Sequence, residues 1–289
     1  MKRLLILSGK GGTGKTTTAA VFIRFAHARA IADCDVDAPN LHLVTSQKVQ
    51  AEVTEFLGGD KAVVDADKCI GCGICQTHCR FHALSEKDGT YIVNEFSCEG
   101  CGVCAYVCPQ NAISLVTDVA GRKELYLDET VFSTAALKMG RGNSGKLVTE
   151  VKMAMLKNAP DTELAIIDGS PGIGCPVMAS ANGMDRILIV AEPSLSGISD
   201  LKRLVKTAEV FRTPLAVCVN KYDTSPENAK AIQRFCIEKQ IDFVGFLPYD
   251  KSASVMMNKG QSIADADCPL RDALLEVYKN TMKLLENKE

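Results

Sequence analysis

The sequence predicts an α/β protein built on a doubly wound, mainly parallel sheet, with a smaller α+β segment inserted into it. Short apolar runs alternate with segments of helical periodicity along most of the 289 residues. The first apolar run leads directly into a glycine-rich loop, SGKGGTGKTTT (8–18), and then into a helical pattern. Eight of the 13 cysteines fall into two short runs between residues 69 and 108.

The composition excludes several classes of protein. Lys and Arg number 33 against 35 Asp and Glu, so the net charge is −2, and no basic block suggests a nucleic-acid surface. The N-terminal MKRLLILSGK is too short in apolar residues for a signal peptide, and no run approaches the roughly 18 apolar residues of a membrane helix. We therefore expect a cytoplasmic protein that neither binds nucleic acid nor inserts into a membrane.

The glycine-rich loop is a phosphate-binding loop. RLLIL (3–7) predicts a strand before it and TAAVFIRFA (18–26) a helix after it, which is the context that such a loop requires. The glycines let the backbone wrap the phosphates, Lys15 reaches the β- and γ-phosphates, and the Thr16 hydroxyl is expected to ligate Mg²⁺. The loop residues predicted to contact the nucleotide are Gly11, Gly12, Thr13, Gly14, Lys15, Thr16 and Thr17.

The cysteine spacing predicts iron–sulfur clusters rather than zinc. Each run reads Cys-x2-Cys-x2-Cys-x3-Cys, whereas structural zinc usually takes two separated Cys-x2-Cys pairs. The doubled run matches the bacterial ferredoxin pattern, in which the fourth cysteine of each run ligates the other cluster. The predicted ligands are Cys69, Cys72, Cys75 and Cys108 for the first [4Fe–4S] cluster, and Cys98, Cys101, Cys104 and Cys79 for the second. His78 and His82 are alternative ligands beside the first run, although loop histidines are more often solvated.

An internal repeat organises the cysteine-rich segment. KAVVDADKC (61–69) and TYIVNEFSC (90–98) each place a short β segment just before a cysteine run. Such a repeat is expected of a two-cluster ferredoxin fold. The prediction is therefore a P-loop NTPase domain with an inserted α+β, bacterial-type ferredoxin domain. The predicted boundaries are 1–58 for the first part of the ATPase domain, 59–117 for the insertion and 118–289 for the second part.

A second lysine makes the phosphate loop more specific. Lys10 precedes Lys15 in KGGTGKT (10–16), which resembles the deviant Walker A motif of the MinD/ParA/Mrp group, to which the nitrogenase iron protein is related. In that family this lysine crosses a dimer interface to the partner's nucleotide, where a cation stabilises the charge of the transition state. The resemblance implies a catalytic role for Lys10 and an ATPase that forms an ATP-dependent homodimer.

The stretch AIADCDVDAPNL (30–41) resembles switch I of the same family. The resemblance implies that Asp35 is the catalytic aspartate that orients the attacking water. Asp33 and Asp37 lie on the same short stretch and remain alternatives for that role.

Three later segments extend the resemblance over essentially the whole chain. LAIIDGSPGIG (164–174) resembles Walker B and switch II, which implies that Asp168 holds a Mg²⁺-bound water. Asn220 resembles the family's adenine-binding asparagine. FLPYD (246–250), with Pro248, resembles the segment that covers the purine.

The motifs leave three functions open. The favoured one is an ATP-hydrolysing iron–sulfur protein, slow without its partner, that couples nucleotide state to electron transfer or to metal or iron–sulfur cofactor maturation through an unidentified partner protein. The alternative is a MinD/ParA-like dimeric switch for positioning or regulation, in which the clusters are structural. A plain ferredoxin with a degenerate nucleotide site is disfavoured, because the phosphate-loop and aspartate motifs are intact. The implied cofactors are ATP, Mg²⁺ and two [4Fe–4S] clusters.

Overall fold

The computed structural model describes residues 1–45, 47–259 and 261–286, and the chain divides into two compact units. Unit 1 comprises Met1–Val53, Lys123–Ala136 and Ser144–Glu289. Unit 2 comprises Thr54–Arg122 and Leu137–Asn143. The segment 59–117, predicted as an insertion, falls within unit 2.

Strands and helices alternate through most of the described chain. The strands are β1 Lys2–Ser8, β2 Ala30–Asp33, β3 Glu52–Val64, β4 Leu84–Lys87, β5 Thr90–Val93, β6 Ile113–Leu127, β7 Val131–Leu137, β8 Leu164–Pro171, β9 Arg186–Ala191, β10 Leu215–Asn220 and β11 Asp242–Leu247. The helices are α1 Lys15–Ala26, α2 Ile74–His78, α3 Val103–Tyr106, α4 Ser144–Asn158, α5 Cys175–Ala181, α6 Leu195–Ala208, α7 Pro226–Glu238, α8 Lys251–Asn258 and α9 Pro269–Glu286. None of the helices described is both long enough and apolar enough to cross a membrane.

A mainly parallel sheet forms the centre of unit 1, where its strands follow the order β11-β10-β9-β1-β8-β2-β7. The pairs of β1 with β8 and β9, of β10 with β9 and β11, and of β2 with β7 and β8 are all parallel. The predicted mainly parallel α/β architecture is therefore confirmed. Because parallel strands end at one edge of the sheet, the loops after β1, β2, β8 and β10 share that edge.

The central strands are buried along most of their length because helices cover both faces of the sheet. All six residues of β9 are buried, and so are the last five of β1. On one face α1 packs against α9, where the Phe22 and Tyr278 rings meet edge to face at 5.2 Å. This core fixes the positions of the carboxyl ends of the strands, from which the site loops begin.

Unit 2 is built around the two cysteine runs. The strands β4 and β5 form an antiparallel pair, and the short helices α2 and α3 each lie within one cysteine run. A small core joins the two runs, with apolar side chains packed beside the cysteines. Its buried members are Ala62, Cys75, Ala83, Leu84, Tyr91, Cys98 and Ile113.

Candidate functional site

The phosphate loop lies between the end of β1 and the start of α1. Its backbone turns at Gly14, which has φ 94° and would bring a Cβ to 2.2 Å from the Asn220 Nδ2 atom, so this position requires glycine. Helix α1 begins at Lys15, the next residue. The amides at the start of α1 therefore face the loop, an arrangement that favours phosphate binding.

Lys15 is the centre of a buried charge cluster. Its Nζ atom lies 2.7 Å from Asp168 Oδ1 and 3.5 Å from Asp35 Oδ2. The Thr16 hydroxyl donates a hydrogen bond of 2.7 Å to the other Asp168 oxygen. The side chain of Lys15 is 6 % exposed and that of Asp168 is fully buried. The structure thus brings together four residues that the sequence singled out from three separate segments.

The cluster carries more negative than positive charge. Burial by itself would lower the pKa of Lys15, but the Asp168 and Asp35 carboxylates outweigh burial and raise it, so the lysine is held as a cation. Burial, with the charge of Asp168 added, raises the pKa of Asp35. Burial and Asp168 also raise the pKa of Asp33, to about 7. Asp168 and Asp35 are the two carboxylates that contact the lysine cation directly.

Asp33 fixes the loop that follows β2. Its carboxylate accepts hydrogen bonds from the backbone N–H groups of Asp35, Asn40 and Leu41, at 3.0, 3.1 and 3.0 Å. Both oxygens are used, and the side chain is fully buried. The sequence suggested Asp33 as a water-orienting alternative, but it did not indicate this anchoring role, since the role depends on the loop folding back onto the strand end.

Lys10 contacts the loop between β9 and α6. Its Nζ atom lies 3.2 Å from Glu192 Oε2, and it donates to the hydroxyls of Ser194 and Ser196 at 3.3 and 3.2 Å. Ser194 also caps α6 by accepting from the Gly197 N–H. These three partners of Lys10 were not predicted, because nothing in the sequence pattern links position 10 to this loop.

A cavity of about 150 Å³ adjoins the phosphate loop and contains both predicted base-binding residues, Asn220 and Pro248. The Asn220 amide donates to the Thr13 carbonyl oxygen at 2.7 Å, and Lys221 Nζ donates to the Gly12 carbonyl oxygen at 3.0 Å. The remaining wall residues are Gly14, Thr17, Thr18, Leu247, Tyr249, Asp250, Ala253, Leu270 and Leu274. A larger cavity of about 700 Å³ is lined by residues from the other end of α1 but by none of the motif residues.

In unit 2, cysteines from the two runs line one cavity. Its walls include Cys69, Cys72 and Cys75 of the first run together with Cys108 of the second. These are the four residues predicted to share a cluster. The fourth cysteine of the second run therefore lies with the first three of the other run.

Several cysteine sulfurs accept hydrogen bonds from the backbone. The donors to Cys79, Cys98 and Cys108 are the N–H groups of Ala83, Ala62 and Ala112, at 3.4, 3.4 and 3.3 Å. Backbone donors of this kind stabilise thiolates that ligate iron. His78, by contrast, has its Nδ1 atom 2.9 Å from the Ile74 carbonyl oxygen in its own helix.

Within the described ranges, no three or more His, Cys, Asp or Glu residues are grouped to hold a single metal ion. A four-iron cluster keeps its thiolates farther apart than a single ion does, because each thiolate binds a different iron. Four cysteines around a cavity fit that wider arrangement. Burial raises the pKa of Cys75 and of Cys104, and neighbouring cysteines raise both values further. Deprotonation of these thiols is therefore unfavourable without metal, and a bound metal would compensate for it by ligating the thiolates.

The helix that follows Walker B, α5, is capped by a lysine that the sequence did not single out. Lys152 of α4 is 6 % exposed, and it donates to the carbonyl oxygens of Ala179 and Asn182 at 2.7 Å each, which caps the end of α5. At the other end of α5, exposed Cys175 lies beside α4, since a Cβ on Gly145 would be 3.2 Å from Cys175 Cβ. Two contacts thus join α4 to the helix that follows switch II.

A phosphate loop at the start of a helix, a buried lysine–aspartate cluster and a base-sized cavity together define a P-loop nucleotide-binding protein. The family described as the CobQ/CobB/MinD/ParA nucleotide binding domain matches residues 4–263. The chain belongs to this family and is a P-loop ATPase.

Relatives of the chain share its full length. The uncharacterized protein MJ0578 of Methanocaldococcus jannaschii is 29 % identical over 289 residues, covering 98 % of this chain and 97 % of that one. The MinC:MinD cell division protein complex of Aquifex aeolicus matches at 17 % identity and a TM-score of 0.56, over 100 % of this chain and 98 % of the other. MinD of Pyrococcus horikoshii complexed with Mg-ADP matches at 15 % and 0.56, over 99 % and 97 %. At such identities the solved structures establish the fold alone.

The Asp33 contacts predict a specific loss of order. Asp33→Ala removes the acceptor for three backbone N–H groups, and hydrogen bonds to a charged group contribute about 1.5–3 kcal/mol. Amide hydrogen exchange at Asp35, Asn40 and Leu41 should accelerate roughly tenfold or more. The matched control is Asp37→Ala, an exposed carboxylate on the same loop, which should leave these amides protected. Unchanged exchange in Asp33→Ala would show that other contacts hold the loop.

Proposed function

We propose that the chain is an ATP-binding and ATP-hydrolysing switch of the MinD/ParA kind, which dimerises when it binds ATP and Mg²⁺ and acts through a partner protein. The observation that carries this proposal is the buried cluster of Lys15, Thr16, Asp35 and Asp168 at the phosphate loop. Family membership and the MinD structures favour this switch over a protein whose main task is electron transfer.

Nucleotide binding would change the contacts of the buried cluster. ATP phosphates offer Lys15 a more strongly charged acceptor than Asp168, so the lysine turns to the β- and γ-phosphates. This movement would free the Thr16 hydroxyl to ligate Mg²⁺ and the Asp168 carboxylate to hold a water bound to that ion. Asp35, which borders the same lysine, then orients the attacking water. Asn220 and Pro248 bind and cover the purine, beside the apolar wall of the cavity.

The second subunit would complete the site through Lys10. In the single chain the cation of Lys10 is occupied by Glu192 and two serines. When two ATP-bound subunits meet, each Lys10 would leave these partners and reach the γ-phosphate of the other subunit. A cation there stabilises the charge that develops during phosphoryl transfer, so hydrolysis depends on dimerisation.

A second candidate function adds iron–sulfur chemistry to this switch. The cavity lined by Cys69, Cys72, Cys75 and Cys108 supports a [4Fe–4S] cluster held by those four residues. The pattern implies a second cluster held by Cys98, Cys101, Cys104 and Cys79, and thus a ferredoxin domain inserted at 59–117. Such clusters store single electrons. Nucleotide state would then be coupled to electron transfer, or to cofactor maturation, in a partner.

Hydrolysis should separate the roles of the two charged residues. Lys15→Ala is expected to abolish ATP binding, because it removes the phosphate cation. Asp35→Ala should bind ATP normally and hydrolyse it at least roughly 100-fold more slowly. Calorimetry measures binding and phosphate release measures turnover, with Glu209→Gln, an exposed acid elsewhere on unit 1, as the control. Wild-type turnover in Asp35→Ala would transfer the water-orienting role to Asp33 or Asp37.

Dimerisation should depend on Lys10 and be restrained by Glu192. Lys10→Ala should keep ATP binding but lose ATP-dependent dimerisation in light scattering. Glu192→Gln weakens a partly exposed ion pair worth about 0.2–1 kcal/mol, so dimers should form at up to several-fold lower ATP concentration. Glu209→Gln, an exposed acid elsewhere on unit 1, is the control. If Lys10→Ala dimerised as well as wild type, Lys10 would not act across an interface.

Metal content tests the second candidate function. Protein reconstituted without oxygen should contain about eight irons per chain, as expected for two four-iron clusters. Cys108→Ala should lose the first cluster and Cys79→Ala the second, each leaving about four irons. The measurements are iron and sulfide assays with EPR after dithionite reduction. Stoichiometric zinc, or four irons in the wild type, would contradict the two-cluster assignment.

A further inference from the structure

Each cysteine run in unit 2 is approached by the β segment that precedes the other run. A Cβ on Gly71, in the first run, would lie 2.5 Å from the Gly89 carbonyl oxygen. A Cβ on Gly100, in the second run, would lie 2.0 Å from the Asp60 carbonyl oxygen. Both glycines are required by this close approach of backbone to backbone. The two halves of unit 2 are thus packed in the same way, as the internal repeat predicts.

The repeat places Lys61 and Thr90 at equivalent positions. Each is the first residue of its repeat, KAVVDADKC (61–69) or TYIVNEFSC (90–98), and each follows the carbonyl group that meets the glycine of the opposite run. At this equivalent position, Lys61 lies beside the second run and Thr90 lies beside the first run.

The two side chains make different contacts. Lys61 Nζ donates to the carbonyl oxygen of Cys98, and the N–H of the next residue, Ala62, donates to the Cys98 sulfur. Thr90 donates its hydroxyl to the Lys87 carbonyl oxygen, within its own hairpin. A cation therefore lies against the first cysteine of the second run, and a neutral hydroxyl occupies the matching place in the other half.

Other charges lie near both runs. Beside the first run, Lys68 pairs with Asp65 at 2.9 Å, so their charges offset each other, and Arg80 is exposed to solvent. Beside the second run, Glu95 pairs with Arg141, the charge of Lys61 also acts on Glu95, and Glu99 is exposed to solvent. Lys61 is only partly exposed, and its charge is directed at the cysteine backbone. Partial burial makes a charge act more strongly on its neighbours than an exposed charge does.

We propose that Lys61 sets the two clusters at different reduction potentials and makes the second cluster, on Cys98, Cys101, Cys104 and Cys79, the one that is reduced first. The inference rests on the proposed two-cluster function of unit 2. Each reduction adds one electron and makes the cluster more negative, so a nearby cation favours the reduced form and raises the potential. In the one-electron-reduced protein, the second cluster would then be the reduced one.

The test is an EPR-monitored redox titration of the full chain, reconstituted without oxygen, with dithionite as the electron donor. Iron is counted first. The Cys108→Ala and Cys79→Ala variants, each expected to keep one cluster, identify which signal belongs to which cluster. Wild type should show the signal of the second cluster at the higher potential.

Exchange of the two equivalent residues supplies the matched variants. Lys61→Thr should lower the potential of the second cluster and leave that of the first unchanged. Thr90→Lys should raise the potential of the first cluster. The double exchange should reverse the order in which the clusters are reduced. Lys61→Arg keeps the cation and should retain the wild-type order, which separates charge from packing.

The possible outcomes separate failure of the proposed Lys61 role from failure of the two-cluster function. Eight irons with potentials that do not move in Lys61→Thr and Thr90→Lys would overturn the role of Lys61 and leave the two clusters standing. If Lys61→Thr lost iron, Thr90→Lys would still decide, since an unchanged first cluster would contradict a charge effect at this position. A wild-type chain that assembles no cluster would overturn the two-cluster function and this inference together.

Discussion

The ion pair between Lys15 and Asp168 is the interaction on which the nucleotide site depends. It joins the first turn of α1 to the end of β8, and it is buried at the edge where the central strands terminate. Removing one partner from a buried pair costs on the order of 3–5 kcal/mol, because the other charge is left without compensation. In the proposed function, phosphates with Mg²⁺ would replace the pair, because they offer each partner an opposite charge.

The same constraint connects the switch I loop to the nucleotide. The Asp33 carboxylate accepts hydrogen bonds from backbone N–H groups of the loop. The Asp35 carboxylate lies close to Lys15, the lysine proposed to bind the phosphates. A movement of the Lys15 side chain would therefore act directly on the switch I loop, because Asp33 and Asp35 are separated by only one residue. Lys152 of α4 caps α5, the helix after switch II, and so fixes the end of that helix.

The family relationship and the cysteine runs point to two layers of function. The family model matches residues 4–263, a range that includes unit 2, and membership of the family supports the proposed switch. Under the second candidate function, the cysteines of unit 2 would add iron–sulfur chemistry to that switch. The repeat that packs each run against the other's β segment makes the halves similar in backbone, so their differences in charge become the feature that distinguishes them.

The sequence by itself determined the elements whose signal is local. The parallel α/β fold follows from alternating apolar and helical patterns, and the phosphate loop from glycines and lysines at fixed offsets, because such spacing already encodes the backbone geometry. Only the tertiary structure decided which residues meet across the chain. Lys10 with Glu192, Asp33 with the N–H of Leu41, and Lys61 with Cys98 are such pairs. Their partners lie on different elements, and the register of packed strands and helices, which no local pattern records, brings them within hydrogen-bonding distance.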